Sequence, residues 1–173
     1  MANVARVLVP TDFSVDSLRT VLDYLENHLD QRVEIVLACG YDIGDSITGI
    51  LGFTKEDHLV KLENDDFIKG CEMIKSRFKR NIVELYADLL ISKNVRYLRN
   101  YLKGNRITHL VLPKSFSFSC VERSAFNLDR VLREHADALS AKVVSVGVQI
   151  GHTQGIDTLD SMFFRKDWRM SYE

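Results

Sequence analysis

A short apolar run that ends in Pro-Thr-Asp and is followed at once by a serine constrains this chain more than any other feature. In Arg6-Val7-Leu8-Val9-Pro10-Thr11-Asp12-Phe13-Ser14 the apolar residues are continuous rather than alternating, the pattern of a parallel strand buried on both faces. Ser14 then offers a helix N-cap, its hydroxyl placed to accept from a backbone N–H of the first turn. The stretch predicts a strand over 6–12 that delivers a carboxylate to the C-terminal edge of a sheet. In doubly wound sheets that edge is where ligands sit.

The same alternation continues along the chain. After Ser14, Leu18, Val21, Leu22, Leu25 and Leu29 share one helical face. Val33, Ile35, Val36 and Leu37 form a second strand that ends near Cys39 and Gly40. Thr54 opens the next helix with Asp57 as its capping-box partner. Its stripe is Leu59, Leu62, Phe67, Cys71, Ile74 and Phe78, and Asn64 and Gly70 weaken it enough to predict a break or kink. A third strand covers Ile82 to Ala87. Ser92 caps a helix that carries Val95, Leu98, Tyr101 and Leu102 and stops at Gly104. Leu110 to Leu112 make a fourth strand closed by Pro113. Ser124 begins a helix with Leu128, Val131, Leu132, Ala136 and Leu139, and the valine-rich Lys142 to Ile150 is the last strand. Strands interleaved with helices need crossover connections, hence a parallel sheet covered on both faces. Residues 1–150 thus read as one α/β domain, a three-layer sandwich around five parallel strands. Residues 151–173 form a C-terminal tail.

Bulk properties bound the partners. The 173 residues carry 23 Lys plus Arg against 24 Asp plus Glu, a formal net charge of -1, so a general basic field for nucleic acid is absent. The cluster Lys75, Arg77, Lys79 and Arg80 falls where a helix C-terminus favours cations. Three widely spaced cysteines, Cys39, Cys71 and Cys120, form neither a disulfide framework nor a zinc motif. The N-terminal apolar run is too short for a signal peptide, and no stretch reaches the ~20 apolar residues of a membrane span. A reduced cytoplasm is the expected setting.

The residues Val9-Pro10-Thr11-Asp12-Phe13-Ser14 resemble the opening of the universal stress protein family, and the order and spacing of elements over residues 4–150 fit it, as does Ile107 to Leu112 as its fourth strand. The resemblance implies a Rossmann-like, HUP-type sheet of order 3-2-1-4-5 and a tendency to dimerise. In the family's nucleotide-binding branch, the first strand's Asp and the end of the second strand line an adenosine pocket. Here those positions are Asp12 and Cys39. The family's phosphate loop follows the fourth strand with the pattern Gly-x2-Gly-x9-Gly-Ser/Thr, whose glycines let backbone N–H groups approach an anion. In this chain the glycine positions fall at Pro113, Phe116, and Ala125 or Phe126. Proline has no N–H to donate, and phenylalanines obstruct close backbone approach.

The expectation is therefore a chain without a tight ATP cradle. The alternative is a weaker anion site around Thr11, Asp12, Cys39, Pro113, Lys114 and Ser115, where a cation and hydroxyls replace glycine N–H groups and would take an adenine nucleotide (ATP or AMP) or another anion. Other motifs fail. Gly44 to Gly49 has Walker A spacing, but Ile50-Leu51 stands where Lys-Ser/Thr should follow. Asp12 lacks the second first-strand acid that a receiver site needs, although Asp88 lies near the third strand's end. The five histidines show no metal-ligand spacing, with His109 and His135 read as structural, and no Gly-x-Ser-x-Gly elbow occurs. Cys120, beside Arg123 and a helix start, is a candidate redox thiol. No catalytic set can be named.

Interaction remains. Val144, Val146, Val148 and Ile150 alternate with smaller or polar residues, and an edge strand of that kind is a template for pairing with a second copy. The tail's Phe163, Phe164 and Trp168 either pack back on their own domain or wrap a partner subunit, the latter being favoured. Tyr41 to Phe53 reads as an apolar flap or interface loop. The expected role is a stress-response or regulatory interaction module, a homodimer that recruits an unidentified protein through that dimer or through Phe116 and Phe118.

Overall fold

The computed structural model describes residues 3–44, 46–114, 118 and 124–147. Strand β1 (Val4–Pro10) is followed by a single 3-10 turn (Val15–Ser17) and α1 (Leu18–Glu26). Then come β2 (Arg32–Tyr41), α2 (Ile47–Leu51), α3 (Lys55–Leu62), α4 (Asp65–Arg77) and β3 (Ile82–Leu90). The second half runs α5 (Val95–Gly104), β4 (His109–Pro113), a two-residue β5 (Ala125–Phe126), α6 (Leu128–Glu134), α7 (Ala136–Leu139) and β6 (Lys142–Val146).

The sheet order is β3-β2-β1-β4-β6, all parallel, with β5 pairing antiparallel to β2 off this path. The expected five-stranded parallel sheet is present in the expected order. β1 and β2 pair over seven residues, Val4↔Arg32 to Pro10↔Ala38. The β1–β4 register covers Val7↔His109 and Leu8↔Leu110, beyond which the two strands part. That parting is the topological switch point.

Side chains on successive strand residues point to opposite faces, and the core divides accordingly. Val7, Val9, Ile35, Leu37, Cys39 and Val111 pack beneath α1 and α4, against Leu18, Val21, Leu25, Phe67 and Ile74. Leu8, Val36, Ala38, Leu110 and Leu112 face α5, α6 and α7 through Leu98, Leu102, Leu128, Leu132 and Leu139.

Several local expectations shift. Ser14 caps the 3-10 turn ahead of α1 rather than α1 itself, its Oγ accepting from Ser17 N at 3.2 Å, and Ser17 holds the α1 cap position without a side-chain capping bond. Leu29, however, lies beyond the end of α1 and is 61% exposed. The long second helix breaks at Asn64, whose Oδ1 accepts from Phe67 N at 2.8 Å and whose Nδ2 donates to Phe13 O at 3.2 Å. Gly70 stays inside α4. Thr54 does not cap α3 with its side chain: its hydroxyl donates to Asp57 Oδ2 at 2.5 Å. Asn94, not Ser92, caps α5, accepting from Arg96 N and Tyr97 N, while Ser92 Oγ accepts from Asn94 N. Arg106 rather than Gly104 adopts the positive φ after α5, at 54°. Ser124 precedes β5, and Asn127 is the cap of α6. Of the last strand, Val148 and Ile150 lie outside the described residues, as does the whole of 151–173.

Asn64 does two jobs, and they separate by mutation. Asn64→Ala is expected to lower unfolding free energy by ~1–2 kcal/mol in urea. Asn64→Asp keeps the capping oxygen and loses only the donor to Phe13 O, so it should recover most of that loss.

Candidate functional site

The site is built where β1 ends. The ladder to β2 runs one residue past the strand, with Thr11 N donating to Ala38 O at 2.8 Å. Thr11 is buried, so its hydroxyl needs partners. It accepts from Phe13 N at 3.1 Å and lies 2.7 Å from Ser17 Oγ. Ser17 Oγ spends its one proton on Ser14 O at 2.7 Å, so Thr11 is the donor to Ser17. Asp12 Oδ1 accepts from Ser14 N at 3.0 Å and from the Ser14 hydroxyl. This is the local backbone capping that short polar side chains favour after a strand. The hydroxyls and carboxylate of Thr11-Asp12-x-Ser14-x-x-Ser17 thus satisfy one another.

Phe13 makes the turn between them. It has φ 61°, the left-handed region that an aromatic residue rarely enters. Its ring is buried edge-to-face against Phe67, centroids 5.2 Å apart, and Asn64 holds its carbonyl. Packing therefore fixes a backbone that torsional preference alone would not choose.

The other half of the edge is closed by β5. Beyond Ala38 the β1 side of β2 is no longer covered by β1. There Gly40↔Phe126 and Tyr41↔Ala125 pair antiparallel, and Asp42 N donates to Ser124 O at 2.7 Å. The Phe126 ring lies so close over Gly40 that a Cβ at that position would stand 2.3 Å from it. Lys93 Nζ sits 5.1 Å from the centroid of the same ring. Cys39 is buried in the core layer of α1 and α4. At the end of β4, Pro113 is buried and its carbonyl accepts from the guanidinium of Arg133. Arg133 Nε is held in turn by both Asp129 oxygens at 3.1 and 3.0 Å. Lys114 is exposed, and its backbone N donates to Val146 O at 2.8 Å.

Thr11, Asp12, Cys39, Pro113 and Lys114 are thus all brought to the C-terminal edge. Ser115, Phe116 and Cys120 lie outside the described residues. The contributions of Arg133, Phe126 and Gly40 were not read from the sequence. The Asp129–Arg133 i,i+4 spacing was available as a signal; the Phe126–Gly40 contact had none.

Two further groups frame the edge. Asp88, on the outer strand β3, accepts from the Tyr101 hydroxyl at 2.6 Å and pairs with Lys55 Nζ at 3.1 Å. Burial, together with the Asp88 hydrogen bond, pushes the Tyr101 phenol well above its usual range. This network ties α3 and α5 to β3 and leaves Asp88 unlike a receiver acid. Tyr41, Phe53 and His58 form a ring cluster with centroids 4.7 to 6.0 Å apart, pinning the flap of α2 and α3 to the end of β2. Cys71 is half-buried and its thiol is pushed up to about 12, chiefly by burial, so it is not a reactive thiolate. No group of three or more His, Cys, Asp or Glu among the described residues could hold a metal ion. No described helix is long and apolar enough to cross a membrane.

No family model matches the sequence, and no curated relative does. Solved structures align with the fold. One is a universal stress protein family member from Burkholderia pseudomallei, 12% identical over 82% of this chain and 95% of that one, with TM-score 0.49. Another, from Arabidopsis thaliana with AMP bound, is 13% identical over 87% and 96%, with TM-score 0.46. A third, a universal stress protein in complex with cAMP, is 19% identical over 82% and 96%, with TM-score 0.45. The fold class of this chain follows from its own strand order.

The contact of Phe126 with Gly40 is testable directly. Gly40→Ala forces the buried ring to move and is expected to cost ~1–3 kcal/mol in urea denaturation. In a Phe126→Ala background the same change should cost much less, giving a coupling free energy in a double-mutant cycle. Equal costs in the two backgrounds would mean that the ring does not close the edge. At pH 8, Cys71 should resist iodoacetamide in the native state and react once the protein is unfolded, read by mass spectrometry.

Proposed function

We propose that this chain is a regulatory interaction module of the universal stress protein type, working in a reduced cytoplasm as a homodimer without tight ATP binding. One observation carries the reading: the edge where an open sheet would take a nucleotide is filled by the chain's own groups. Phe126 lies on Gly40, and Arg133 holds the Pro113 carbonyl. The polar groups of Thr11 and Asp12 are engaged with Phe13, Ser14 and Ser17. A phosphate cradle needs backbone N–H groups that approach the anion closely, and Pro113 offers none.

Dimerisation is assigned to the last strand. β6 pairs with β4 on one side and forms one edge of the sheet. Val143 is exposed on it while Val144 and Val146 turn inward. An edge of this kind is covered in a stable protein by charge, by a partner or by another element; we assign a second copy, extended through Val148 and Ile150. Recruitment of a protein partner is assigned to that dimer or to the aromatic loop of Phe116 and Phe118.

A second reading has its own support. Lys114 is exposed at the same edge as Asp12, and two of the aligned structures hold AMP or cAMP. In that reading the chain is a sensor that binds an adenine nucleotide or another anion through side chains. Its residues are Thr11, Asp12, Cys39, Pro113, Lys114 and Ser115.

Calorimetric titration of the reduced protein with Mg-ATP, after a check for co-purified nucleotide, separates the two. The module reading expects no binding tighter than about 10 μM, about -7 kcal/mol. Tighter binding that Lys114→Ala abolishes would establish the sensor instead. For the dimer, sedimentation should show a concentration-dependent dimer that Val143→Lys converts to monomer with little change in Tm.

A further inference from the structure

The least satisfied part of the described surface is α2. It is five residues long, Ile-Thr-Gly-Ile-Leu, and none of them is buried. Ile47 is 75% exposed, Leu51 is 82% exposed, and Ile50 is also exposed. A helix this short does not persist by propensity; helices of a few turns take their stability from burying an apolar face. The Ser46 hydroxyl caps it by accepting from Gly49 N at 2.9 Å, and the Tyr41–Phe53–His58 cluster anchors its far end. Neither covers the aliphatic residues. On α3, Val60 is likewise 75% exposed. The first turns of α3 and α4 are acidic, with Glu56, Asp57, Asp65 and Asp66 all exposed, while Lys61 and Lys69 are exposed further along the same helices.

We propose that this face is the docking site of the chain's own C-terminal segment, residues 162–170. That segment reads Met-Phe-Phe-Arg-Lys-Asp-Trp-Arg-Met, five large apolar residues with three cations and one anion. Its large apolar residues complement the exposed aliphatics of α2 and Val60, and its cations complement the acidic first turns of α3 and α4. The chain also reaches. All five long strands are parallel, so β6 releases the tail at the same edge from which β2 leads into α2. From β6 to β2 is three strand spacings, roughly 14 Å. The seventeen residues from Gly147 to Phe163, sixteen Cα steps, span up to ~54 Å when extended. Docking in this way draws the tail across the end of the sheet that carries Thr11 and Asp12. It selects, of the two fates open to the tail, its own domain over a partner subunit, and it is independent of nucleotide binding.

The single tryptophan of the chain, Trp168, reports on this contact. In the full-length protein its emission should be blue-shifted from free tryptophan, protected from iodide, and unchanged on dilution from dimer to monomer. Ile47→Asp with Leu51→Asp alters two exposed side chains and should move the emission to that of free tryptophan, with the far-UV circular dichroism retained. Val60→Asp, on a separate helix, and the triple change Arg165→Glu, Lys166→Glu, Arg169→Glu should each shift it in the same direction. Emission of free tryptophan in the unmodified protein would overturn the proposal. So would blue-shifted emission indifferent to the α2 and α3 variants. Loss of the blue shift on dilution would mean that a second copy, not the same chain, supplies the segment.

Discussion

The seven consecutive parallel pairs between β1 and β2, Val4↔Arg32 to Pro10↔Ala38, are the constraint on which the rest of the molecule depends. Val7, Leu8 and Val9 have no exposed surface, so β1 must be covered on both faces. Each such side chain contributes ~1.5–3 kcal/mol of burial, and the contribution exists only if helices lie above and below. That requirement sorts α1 and α4 to one layer and α5, α6 and α7 to the other. With both faces closed, polar groups on these strands can leave the core only at strand ends. The chain's chemistry-bearing residues therefore collect at the edge that Thr11 and Asp12 occupy.

The architecture was legible because it rests on long, redundant signals. The alternation of apolar runs and amphipathic stretches indicated a parallel sheet, and no single residue had to be read correctly. The resemblance carried by Val9 to Ser14 supplied the strand order that pattern alone leaves open, and β3-β2-β1-β4-β6 agrees with it. Helix ends were less legible, for a specific reason. Ser92 and Asn94 are both good caps two residues apart, and the amide that accepts from two N–H groups prevails. Leu29 continues the stripe of α1 on paper, yet Asn27 ends that helix first. α5 does stop at Gly104, but the left-handed residue that follows the helix is Arg106, not the glycine.

At the site, the sequence exposed what was missing and concealed what had taken its place. The absence of glycine after β4 could be read off Pro113 to Phe126. That Phe126 would form a strand with β2, and lie on Gly40, could not. The contact joins residues 86 positions apart, and it depends on β1 ending before β2 does. The Arg133 contact with the Pro113 carbonyl is of the same kind. The i,i+4 pair with Asp129 is visible, but its aim at β4 is set by how α6 packs.

These substitutions bear on what the edge can recognise. Anion sites at strand ends and helix starts rely on backbone N–H groups that have no other partner. Here Thr11 N goes to Ala38 O, Asp42 N to Ser124 O and Lys114 N to Val146 O. Phe13 N and Ser14 N go to the side chains of Thr11 and Asp12. Five donors that could have faced a phosphate are therefore committed to the chain itself. Among the described residues, a ligand at this edge would have to displace one of those bonds or be held by side chains such as Lys114. A point charge on a flexible stem lacks the fixed geometry of a row of N–H groups. The described donors of this edge therefore offer no preformed row of N–H groups to a triphosphate.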